Sequence, residues 1–183
     1  MLLKTFLRGV CVALVGVTLV GHSANAGPFT HKNSLGDVMM VMAPAYALGM
    51  AFMSHDYEGM LQLGSSVLAA QIAVESLKLL ELETRPNGTD RKSFPSGHAA
   101  GAFSGAMFVH KRYGWKPALV PYGMSLVASW ARVSSGAHYV HDVLAGAAIS
   151  AFFTWILVGK YMPDGVSVSA DPESVKLGFN IKF

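Results

Sequence analysis

Three short clusters in this 183-residue sequence carry side chains able to act on an anion. The first is Lys78 and Arg85-Pro86, with six residues between the two cations and a turn expected at Pro86-Asn87-Gly88. The second is Pro95-Ser96-Gly97-His98, where Ser96 suits a helix N-cap. A helix start offers unpaired N–H groups and a positive dipole end, and Gly97 lets an oxyanion approach the backbone. The third is Arg132, then five residues to His138 and three more to Asp142. On a helix, positions i and i+4 share a face, so the carboxylate can hold one imidazole nitrogen and leave the other free to attack.

Each cluster has a plainer reading. A lone Lys–Arg pair is usually a solvated helix end, a capped helix often carries an incidental His, and His138 with Asp142 could be a cap pair. His-x-x-x-Asp also suits a metal, but a third ligand at sensible spacing is missing unless His98 or His141 joins. His141 sits about 100° around the helix from Asp142 and reads as structural or surface.

Taken in this order and spacing, the three clusters resemble the type 2 phosphatidic acid phosphatase and haloperoxidase superfamily, with its K-x6-R-P, P-S-G-H and S-R-x5-H-x3-D pattern. The resemblance covers roughly Asp37 to Gly159. It implies a metal-free and cofactor-free phosphatase. His138 is then the nucleophile that becomes a phosphohistidine, Asp142 orients it, and His98 is general acid and later base. Lys78, Arg85 and Arg132, with the N–H groups at Ser96 and Gly97, are implied to hold the phosphoryl oxygens. One departure is visible, because Ala131 stands where the family usually has Ser. That removes a hydroxyl near the phosphate and leaves every charged role filled. The implied substrates are lipid phosphate monoesters or pyrophosphates. A soluble periplasmic acid phosphatase of the same superfamily, acting on small phosphate esters, is the enzyme alternative. A catalytically silent protein that binds phosphate headgroups in the cell envelope is the non-enzyme one.

The elements that must position these residues are apolar. The chain is 52% hydrophobic and 14% charged, well below the ~25% charged of soluble domains, with a mean hydropathy of +0.40. The net charge of +3 is dispersed, with no basic run for a nucleic-acid backbone. Lys4 and Arg8, the apolar run Val10 to Val20 and Ala24-Asn25-Ala26 read as a secretory signal over residues 1–26, cleaved after Ala26, with an uncleaved membrane anchor as the alternative. Cys11, the single cysteine, lies inside it, so the mature chain has no thiol or disulfide chemistry.

Residues 27–162 read as an all-α bundle of about five core helices, near Leu35–Met53, Gly59–Leu82, Ser96–Lys111, Lys116–Val133 and His138–Tyr161. Pro44 and Pro121 are expected to kink the first and fourth. Gln62, Gln71 and Glu75 must face the interior if the second is embedded. If the helices span a membrane, the basic loop expected at Lys111-Arg112-Tyr113-Gly114-Trp115-Lys116 puts that end in the cytoplasm and the three clusters at the periplasmic face of the inner membrane. Residues 163–183 form a tail in which Val175, Leu177, Phe179, Ile181 and Phe183 alternate with polar or small residues, a β-like period consistent with a hairpin.

Overall fold

A computed structural model describes residues 31–161, 166–171 and 174–179. The signal segment over residues 1–26 and the end of the tail over residues 180–183 lie outside the described residues. The fold is all-α. Five helices stand among the described residues: α1 (His31–Met53), α2 (Tyr57–Lys78), α3 (Gly97–Tyr113), α4 (Trp115–Ser134) and α5 (Val140–Leu157). Strands β1 (Val166–Asp171) and β2 (Ser174–Phe179) follow and pair antiparallel, Val166 opposite Phe179 and Asp171 opposite Ser174.

Helix α3 is the centre of the bundle and packs against all four others. Its sequence explains the position. Ala99, Ala100, Gly101, Ala102, Gly105 and Ala106 are buried, and small residues let helix backbones approach closely. A Cβ at Gly105 would fall 2.5 Å from the Ala43 backbone of α1, and one at Gly146 of α5 would fall 2.4 Å from the Ser96 carbonyl. These two crossings fix the α3 N-terminus against α5 and its middle against α1. Phe108, Leu63, Val67 and Val109 fill a larger core towards the other end.

Helices α1 and α4 continue through Pro44 and Pro121, the residues expected to kink them. The joint between α3 and α4 is the single residue Gly114 at φ 99°. The basic stretch read as a loop is therefore mostly helix. Arg112 in it is buried, whereas Lys111 reaches the Trp155 carbonyl.

Among the described residues, three segments are long and apolar enough to cross a membrane: Leu35–Met53, Tyr57–Lys78 and Val140–Leu157. Large apolar side chains point outward along the bundle, among them Leu68, Ile72, Leu126, Leu144 and Ile156. Gln62, Gln71 and Glu75 are half-buried and each has a polar partner, as an apolar surround demands.

Candidate active site

The three clusters converge at one end of the bundle. Helix α2 ends at Lys78, shorter than the sequence pattern suggested, and releases the chain into a connection that returns at Ser96. That connection is tied down in two places. Arg85 N donates to Asp90 O and its Nε to Asp90 Oδ1, while Gly88, at φ 73°, closes the turn onto Arg85 O. Asn87 N then donates to Gly136 O, which joins this turn to the one between α4 and α5. Arg85 is thus carried to the α4–α5 turn, where its Nη1 donates to Ala137 O at 3.1 Å.

His138 is not on a helix. Tyr139 is the N-cap of α5, so His138 precedes the helix and Asp142 sits in its first turn. The i, i+4 pairing survives by another route. The Arg132 carbonyl accepts from both Ala137 N and His138 N, and Gly136 at φ 69° makes the reversal. His138 Nδ1 lies 3.5 Å from Asp142 Oδ2, close in charge terms though long for a hydrogen bond. That oxygen is held by Ser93 Oγ at 2.5 Å and Tyr139 N at 2.8 Å.

The opposite imidazole nitrogen, Nε2, lies 3.4 Å from Arg85 Nη1. Guanidinium can only donate, so Nε2 presents its lone pair and the ring proton belongs on Nδ1, towards Asp142. Burial, with the charges of Arg85, Arg132 and Lys78, brings the His138 pKa down to about 4, although Asp142 pulls the other way. A neutral imidazole whose lone pair faces Arg85, with the charges of Arg132 and Lys78 also acting on the ring, is a nucleophile for an electrophile carried on an anion.

The remaining expected residues ring the same point. Ser96 caps α3 through a 3.4 Å bond from Ala99 N to its Oγ. Its own N–H donates to Asp142 O at 3.0 Å. The Ser96 N–H expected to meet a phosphoryl oxygen is thus already spent on holding α3 against α5. Gly97 and His98, next in the first turn, have no intrahelical acceptor and remain for an anion. Lys78 Nζ lies 3.2 Å from where a Gly97 Cβ would stand, so a side chain there would push the ammonium away. Arg132 is buried with its Nε unpaired. Ala131, the departure from the pattern, is fully buried on α4, its Cβ 3.5 Å from an ideal Cβ on Gly36 of α1.

Three residues at this end were not read from the sequence as part of the site. Asp37 on α1 receives His98 Nε2 at 2.7 Å and lies 3.6 Å from Arg132 Nη1. It is the only charged residue between Leu35 and Met53, and an isolated ionisable group in so apolar a helix is a signal of function. Ser93 and Gln71 act at one remove, on Asp142 and on the Gly97 carbonyl, the latter at 3.1 Å. Neither has a distinguishing spacing.

The all-helical fold gathers at this end two imidazoles, two supporting carboxylates and three cations, from helix ends and from the connections between helices. A family model described as the PAP2 superfamily matches residues 59–163, more than half of the chain. The chain belongs to that superfamily and is a phosphoric ester hydrolase. It is 31% identical over 140 residues to a lipid A 4'-phosphatase of Helicobacter pylori, covering 70% of each chain. It is 35% identical over 108 residues to a lipid A 1-phosphatase of Porphyromonas gingivalis, covering 57% of this chain and 22% of that protein. No solved structure matches.

Proposed function

We propose that the protein removes phosphate from a membrane lipid, as a monoester or pyrophosphate, through a phosphohistidine on His138 and without a metal. The observation that carries this reading is the His138 Nε2 lone pair beside Arg85, with Asp142 behind the ring.

In the first step Nε2 attacks phosphorus, the P–N bond forms, and the P–O bond to the lipid breaks. His98 gives its proton to the departing oxygen. A water then cleaves the P–N bond, His98 takes a proton from it, and inorganic phosphate leaves with His138 restored. Lys78, Arg85 and Arg132 with the α3 N-terminus stabilise the equatorial oxygens, which is most of what phosphoryl transfer asks of a protein. Asp37 is a positioning residue that holds His98 on one nitrogen.

A lipid substrate is supported by the setting of the site. Leu79, Leu80 and Leu82, directly beyond Lys78, are exposed at the site end. The three apolar helices and the activity named for both relatives agree with it, and a lipid A-like headgroup falls within the class. The protein sits in the inner membrane with this end towards the periplasm.

The test is turnover of a panel of lipid and soluble phosphates, with trapping of labelled enzyme from a labelled substrate. An acid-labile label that disappears in His138→Ala, with turnover that survives a chelator, is the expected result. Turnover confined to soluble esters by an enzyme extractable without detergent would replace the lipid reading with a soluble acid phosphatase.

A further inference from the structure

Asp142 has two oxygens that face different ways. Oδ2 takes Ser93 and Tyr139 N and looks at His138. Oδ1 is buried without a hydrogen-bond partner and lies 3.3 Å from His141 Nε2. The same Nε2 is 2.6 Å from Glu83 Oε2. One donor atom from each of Glu83, His141 and Asp142 falls within 4.8 Å of the others. Donors about 2.0–2.2 Å from an ion at tetrahedral angles stand about 3.3–3.6 Å apart, so Asp142 Oδ1 and His141 Nε2 already have that spacing and the Glu83 carboxylate would shift to complete the set.

The cluster is held from three sides. The His141 ring stacks on Tyr139 at 5.3 Å, with an interplanar angle of 9°. Glu83 is fixed by its bridge to Lys92 and by Ser93 N, which donates to its carbonyl at 3.1 Å. Asp142 is fully buried in the first turn of α5. His141 is exposed and Glu83 half-buried, so an ion has access from solvent.

We infer that Glu83, His141 and Asp142 form a binding site for a divalent cation of the zinc class, on the far side of Asp142 from His138. One imidazole and two carboxylates suit a borderline ion and leave a fourth position open, whereas magnesium and calcium prefer all-oxygen sets. The consequence rests on the phosphatase reading. A cation on Oδ1 neutralises the carboxylate that His138 needs as its ring gains positive charge on attacking phosphorus. The metal therefore slows turnover, and the site is a brake rather than a catalytic centre.

The test uses the full chain in detergent, stripped with a chelator and dialysed, titrated with zinc or magnesium by calorimetry and assayed in parallel. Wild type should bind one zinc, prefer it to magnesium, and lose turnover as the site fills. Glu83→Gln and His141→Ala should each weaken that binding by more than about tenfold. Both should keep metal-free turnover and become insensitive to zinc, while His110→Ala, remote from the cluster, behaves as wild type. Zinc that binds both variants as tightly as wild type, fails to bind wild type, or binds there without slowing turnover overturns the proposal. Absence of turnover in the metal-free wild type would instead refute the phosphatase reading, and the calorimetry would still decide whether the cation site exists.

Discussion

The two ends of the bundle hold buried charge in opposite ways. At the end away from the site, Arg112 and Asp56 are each buried and paired. Arg112 donates to both Asp56 oxygens, to Gln62 Oε1 at 3.0 Å and to Gly159 O at 3.1 Å. Asp56 also receives Tyr113 Oη and Gly59 N. Burial works against the Asp56 carboxylate, but these donors outweigh it and keep its pKa below the ordinary value. At the site end, Arg132 Nε, His138 Nδ1 and Asp142 Oδ1 are buried with no hydrogen-bond partner. Positive charge gathers there around a helix N-terminus that adds more of the same sign. One end spends its charged groups on each other and on the fold, whereas the other leaves some of them unpaired, with Arg132 Nε open to an anion.

That contrast can be broken most sharply at His138. His138→Ala should lower kcat by about 10⁴-fold or more and leave the thermal melt nearly unchanged, measured by phosphate release beside calorimetry. A large fall in Tm would mean that the site end is structural too. Asp56→Asn should do the reverse. Removing one partner of a buried ion pair costs about 3–5 kcal/mol, read as a loss of denaturation resistance with kcat of the folded fraction intact.

Arg132→Ala should reduce kcat/KM by about 10²–10³-fold, the range for loss of one charge-stabilising donor, with the larger part in kcat. Asp37→Asn should cost less, about tenfold in kcat. KM should move little, because Asp37 acts through His98, and a shifted pH–rate profile distinguishes positioning from mere packing. The smallest effect is in pH and belongs to the other end. Asp56 has a folded pKa below its unfolded one, so its stabilisation is complete above the ordinary carboxylate pKa of about 3.9. It is lost as pH falls through the lower folded value. Wild-type Tm should therefore fall more steeply in that acid range than the Tm of Asp56→Asn, and equal slopes would deny the clamp its charge.

Much of the site was legible because motif spacing encodes chemistry locally. Lys78, Arg85, His98, Arg132, His138 and Asp142 are recognisable by type and interval, and the structure gathers all of them at one end. Ser96 was legible as a cap but not as the donor that grips Asp142 O, since that bond spans two elements. Asp37 was legible only as an oddity of composition, with its partner 61 residues away. Arg112 was misread as a loop cation because a charge count cannot see that Asp56 lies beside it.

The sequence by itself determined the all-helical class, the small-residue face of α3 and the identity of the charged groups, since periodicity and residue type act over a few neighbours. Tertiary structure alone decided that Asp142 serves two histidines from two oxygens, that Gly105 and Gly146 set the helix crossings, and that Asp37 meets His98. Those facts depend on distances between segments far apart in the chain. They are fixed by backbone approach, which no local pattern records.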